Sequence, residues 1–133
     1  MSDDFAVVTP DDADPEPFDT VDVDHLKYTD LLGCTDTRVN LVTLDPGEGV
    51  TPHAHERQEE LFVPLTGGGI EIEGTLYEVP AGGVARVGPD PVRNVVNRTD
   101  DERHTWIMIG APPVGTVGDF GEYVVPEGVD AGE

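Results

Sequence analysis

The sequence predicts an all-β domain, a β-sandwich or small barrel, and three observations carry that expectation. Short apolar runs recur along the chain, separated by Gly, Pro, Asn and Asp. Ile70-Glu71-Ile72-Glu73 alternates with the period of a strand, and Thr105-Trp106-Ile107-Met108-Ile109 is rich in β-branched and aromatic residues. No window holds apolar residues at i, i+3, i+4 and i+7 for three helical turns.

In chain order, residues 1–20 are rich in Asp, Pro and Glu and read as an amino-terminal arm that docks loosely or stays disordered. Phe5, Val7 and Val8 could pair that arm with a partner subunit. Residues 21–133 read as a single barrel domain, with no repeat or linker. Strands are expected at Val39 to Leu44, Leu61 to Leu65, Gly69 to Glu73, Thr75 to Val79, Gly83 to Val87, Arg93 to Val96, His104 to Ile109 and Tyr123 to Val125. Pro64 cannot donate to a ladder, so it implies a bulge or an edge. The stretch from Ala111 to Gly118 reads as a loop crossing the barrel before the last strand.

Charge sets a second boundary. Seven basic residues against twenty-eight acidic ones leave a net charge of −21, and Lys27 is the only lysine. The apolar content of the middle of the chain places these acids on the surface of a folded domain rather than in a disordered one. Molar salt, with a Debye length of about 3 Å, would screen their repulsion. The composition resembles that of proteins from salt-accumulating halophiles. The same field repels phosphates and anionic lipid, so neither nucleic acid nor a membrane is an expected partner. No run approaches the roughly 18 apolar residues of a membrane span, no secretory leader opens the chain, and Cys34 is the sole cysteine. These features point to a cytoplasmic protein with Cys34 as a structural thiol.

The chemistry concentrates between Gly47 and Gly67. His53 and His55, two apart on an extended segment, project from one face. A polar turn through Glu56, Arg57 and Gln58 lets the chain return, so that Glu60 on the next strand can face them. Two imidazoles and one carboxylate form a facial set suited to a first-row divalent ion with open positions.

The spacing of this segment, a glycine, five residues, His-x-His, four residues, Glu, six residues and a glycine, resembles the first motif of the cupin superfamily. Residues 82–97 resemble the second motif, from Gly82 to the closing Asn97. The resemblance covers roughly residues 38–110 and implies a double-stranded β-helix (jelly-roll) barrel, a His53–His55–Glu60 metal site for Fe, Mn, Zn or Ni, and a homodimer formed by exchange of edge strands. Two positions depart from the pattern: Asp90 stands where a glycine is usual, and Arg93 stands where the family has its fourth ligand, a histidine. An arginine is always protonated and is no ligand. It either pairs with Glu60 and replaces the metal, or faces an open position of a three-ligand metal and receives an anionic group.

Beside these four residues, Gln58 is expected at the pocket mouth and Phe62 in its wall or the core. His25 and His104 are expected at the surface or at strand ends, and Arg38, Arg86, Arg98 and Arg103 as balance for the acidic surface. The expected function is binding of a small molecule, such as a carboxylate, at a degenerate metal site. The alternative is a metal-dependent enzyme, a dioxygenase or a sugar or keto-acid isomerase.

Overall fold

The computed structural model describes residues 5–17, 23–113 and 123–124. The chain forms β1 (Glu16–Pro17), β2 (Asp24–Lys27), α1 (Thr29–Leu32), β3 (Arg38–Leu44), β4 (Ala54–His55), β5 (Glu59–Pro64), β6 (Gly68–Ile72), β7 (Thr75–Val79), β8 (Ala85–Val87), β9 (Arg93–Val96), β10 (His104–Ala111) and β11 (Tyr123–Val124). Each expected strand is present, with ends displaced by up to two residues. Of the amino-terminal arm, residues 1–4 and 18–20 lie outside the described residues, as do residues 114–118 of the expected crossing loop and Val125. Among the described residues no helix is long and apolar enough to cross a membrane.

All strand pairs are antiparallel. One sheet has six strands in the order β1-β2-β3-β10-β5-β8, a second has β7-β6-β9, and β11 pairs with β4. Between the two larger sheets lies one apolar core. Val42 and Leu44 of β3, Phe62 of β5, Val87 of β8 and Trp106 of β10 enter it from the first sheet, and Ile70 of β6 and Val95 of β9 from the second. Alternation produces this placement: in β5 Glu60, Phe62 and Pro64 are buried while Leu61 and Val63 are less so. Trp106 and Phe62 meet edge to face at 6.4 Å.

Three strands and the helical turn α1 have no clear signal in the sequence. β1 and β2 are rich in charged residues, yet His25, Leu26 and Lys27 pair with Val42, Leu41 and Asn40 and extend the six-stranded sheet. β4 is only two residues long and takes its partner from β11. Tertiary pairing overrides weak local preference in each case.

Two surface expectations are revised, those for His25 and Arg38. His25 is 1% exposed, because its register opposite Val42 turns it inward. His104 does begin a strand, but it is buried, with Nε2 3.3 Å from Glu102. Arg38 is buried as well, whereas Arg86, Arg98 and Arg103 are exposed and pair with Glu59, Glu71 and Asp45. Pro64 makes no bulge and ends β5. Leu65 N donates to Thr105 O on the β10 side, so the Pro64 nitrogen faces β8, where pairing has already stopped at Phe62.

Candidate functional site

The site lies where the His-x-His segment of the first motif meets the start of β9. Gly47 and Gly67, which bracket that motif, have φ of 85° and 91°, a region open to glycine at little cost. Between them the chain runs extended through His53, bends at Glu56 and Arg57, and returns as β5 with Glu60 facing inward. His53 is paired with Arg93 by two backbone hydrogen bonds, His53 N to Arg93 O at 3.0 Å and Arg93 N to His53 O at 2.8 Å.

This framework brings His53, His55, Glu60 and Arg93 together, all four buried. Glu60 Oε1 is the hub: Arg93 Nε donates to it at 2.9 Å, His55 Nε2 lies at 3.2 Å and His53 Nε2 at 3.7 Å. His53 Nδ1 lies 2.9 Å from the Thr51 carbonyl, which can only accept, so Nδ1 carries a proton, and Nε2 is the nitrogen turned to Glu60. The two imidazoles stand edge to face at 5.2 Å.

Burial alone would raise the Glu60 pKa. Hydrogen bonding and positive charge from His53 and His55 outweigh that penalty and hold the carboxyl well below the usual carboxylate range. Arg93 Nε acts in the same direction.

Arg93 is 0% exposed and held from two sides. Opposite Glu60, its Nη1 donates to Pro89 O at 3.0 Å and Pro91 O at 2.7 Å. Pro89 O also accepts from His55 N at 2.9 Å, so one carbonyl ties the second histidine to the guanidinium. Nη2 is buried and has no hydrogen-bond partner. The Thr51, Pro89 and Pro91 carbonyls that orient these side chains left no trace in the sequence, because backbone acceptors are present at every residue.

Gln58 and Phe62 are both buried, in different surroundings. Gln58 is buried against Gly110, and its Nε2 donates to Pro112 O at 3.1 Å. Phe62 is part of the apolar core.

By themselves His53, His55 and Glu60 could hold a divalent metal, since their donor atoms lie within 4.8 Å of one another. Arg93 opposes it. An ion about 2.0–2.2 Å from Glu60 Oε1 could be no farther from Arg93 Nε than that bond plus the 2.9 Å hydrogen bond. Across about 5 Å, at an effective dielectric of about 20, a divalent and a unit charge repel by about 7 kcal/mol. That is roughly half of the about 10–16 kcal/mol with which structural zinc sites bind. Arg93 as it stands therefore weakens these three residues as a metal site.

No protein-family model matches the chain, and no curated protein matches it in sequence. Solved structures do match in shape. A cupin protein from Bacteroides fragilis is 26% identical, with a TM-score of 0.61 over 74% of this chain and 85% of that one. A sugar phosphate isomerase of the cupin superfamily from Silicibacter pomeroyi is 22% identical, with a TM-score of 0.68 over 80% and 75%. A predicted oxalate decarboxylase from Thermotoga maritima is 17% identical, with a TM-score of 0.67 over 80% and 99%. The fold is therefore the double-stranded β-helix of cupin proteins, as the two motifs imply.

Proposed function

We propose that this chain is a small-molecule-binding member of the cupin superfamily, with its ligand site at His53, His55, Glu60 and Arg93. The observation that carries this reading is the burial of three ionisable side chains around one oxygen of a fourth, the buried Glu60 carboxylate. Burying charge is costly unless it is paired, and a barrel of this kind needs no such cluster to close. Clusters of ionisable groups with a strongly perturbed carboxylate mark functional sites more often than structural ones. The described neighbours from Silicibacter pomeroyi and Thermotoga maritima, named for a sugar phosphate and for oxalate, support small oxygen-rich ligands as the class to test.

The test is a thermal-shift and calorimetric screen in molar salt, with small carboxylates against neutral sugars of equal size. Binding that His53→Ala and Glu60→Gln both abolish supports the site; binding that neither variant weakens would place the ligand elsewhere.

Phe5 and Val7 are 77% and 82% exposed, which supports pairing of two copies through their amino-terminal arms. Sedimentation of the wild type and a Phe5→Ser/Val7→Ser variant tests this, and identical monomers from both would sink it.

A further inference from the structure

We propose that Arg93 is the resident cation of this site, occupying the place of a divalent metal in both of its roles: it neutralises Glu60, and it presents an N–H donor to an oxygen of a small carboxylate. This rests on the ligand-site reading above for its second half only.

The argument begins with position. The paired backbones of His53 and Arg93 bring the guanidinium to the same oxygen, Glu60 Oε1, that both imidazoles approach. Next comes anchoring. Three hydrogen bonds, to Glu60 Oε1, Pro89 O and Pro91 O, fix a planar group that is wholly buried. A guanidinium held this way cannot swing into solvent to make room for an ion without abandoning all three bonds, which takes a donor from Pro91 O and the permanent cation from Glu60.

The second role follows from what is left over. Arginine carries five N–H donors in one rigid plane. Nε and Nη1 are engaged, while Nη2 is buried without a partner. In that plane Nη2 shares an edge with Nε, so it faces the same side as Glu60 and the two histidines. A carboxylate or similar oxyanion placed there gains a charge-assisted hydrogen bond and satisfies a donor that is otherwise desolvated for nothing. A neutral sugar hydroxyl would gain less. Because Nη2 has no solvent access, a ligand that reaches it displaces a packed neighbour, which favours small ligands.

The experiment compares wild type, Arg93→His and Arg93→Ala in metal uptake and carboxylate binding. Metal content after purification without chelator is measured first. Each stripped protein is then titrated with Co2+, followed by visible absorption, calorimetry and melting temperature. Wild type should emerge metal-free and show no cobalt-dependent rise in melting temperature, while Arg93→His should bind Co2+ about 100-fold or more tightly than wild type. Stoichiometric metal in purified wild type would overturn the proposal, whether or not either variant folds. So would equal cobalt affinity in wild type and a folded Arg93→His.

Acetate and oxalate are then titrated into wild type in excess chelator. Binding that persists there and disappears in Arg93→Ala supports the donor role. Binding that the chelator abolishes overturns that role while leaving the site itself in place. Metal-free wild type that binds neither acid would uphold Arg93 as the counter-charge and sink the ligand reading instead.

Discussion

His53 and Arg93 share two backbone hydrogen bonds, of 3.0 and 2.8 Å, across the gap between the His-x-His segment and β9. That pairing fixes where the guanidinium enters the site, and its three side-chain hydrogen bonds make its removal felt in stability as well as in binding.

Arg93→Met should destabilise the domain by about 3–5 kcal/mol, the cost of removing one partner of a buried ion pair. Replacing both partners, Arg93→Met with Glu60→Leu, should cost less than either single change, since no buried charge is left alone. Urea unfolding of the four proteins checks this. Strictly additive losses would mean that the two side chains are not coupled.

The depressed Glu60 pKa sets a pH dependence. In the unfolded chain a glutamate titrates near about 4.3. The folded value is lower, so the Glu60 contribution is complete above about pH 4.3 and is lost as pH falls toward the folded value. The stability gap between wild type and Glu60→Gln should therefore be widest at neutral pH and close on acidification, by up to about 1.4 kcal/mol per pH unit. The comparison with Glu60→Gln cancels the titration of the other acids. A gap that stays constant from neutral to pH 3 would contradict the assignment.

Gly68→Ala should cost about 1–3 kcal/mol, the range for overpacking. A Cβ there would meet the Trp106 indole at 2.8 Å, and that ring is locked in the core. The Trp106 fluorescence should shift together with the melting temperature; an unchanged spectrum and midpoint would show that the core yields more easily than its packing implies.

Asn97 closes the second motif for a structural reason. Its Nδ2 donates to Leu44 O and Glu102 O at 3.0 and 2.7 Å, and its Oδ1 accepts from Thr99 N and Oγ1 at 3.0 and 2.7 Å. Asn97→Ala takes a donor from the buried Leu44 carbonyl and should cost about 1–3 kcal/mol, while carboxylate or metal binding per folded molecule stays as in wild type. A variant as stable as wild type would refute this role.

Salt dependence follows from the net charge of −21. Small domains have only about 5–15 kcal/mol of net stability, so like-charge repulsion over an acidic surface consumes a significant part of it. The melting temperature should fall steadily as potassium chloride is lowered from molar to millimolar. A flat profile would show that the acids are spaced too widely to matter.

The sequence alone determined the barrel and the metal-like triad. Alternating apolar residues select a strand and its inner face whatever the neighbours are, and the spacing from His53 to Glu60 is local enough to survive folding unchanged. Sequence spacing also identified Arg93 as the departure, but left open whether it pairs with Glu60 or faces an open position. Only the tertiary structure decided that its Nε lies on Glu60 Oε1, because the choice depends on the Pro89 and Pro91 carbonyls holding the other side of the guanidinium. The same holds for His25 and Arg38, whose polar character suggests a surface and whose register turns them inward. Strand periodicity is written in consecutive residues; which polar group meets which is a property of segments far apart in the chain, brought together by pairing.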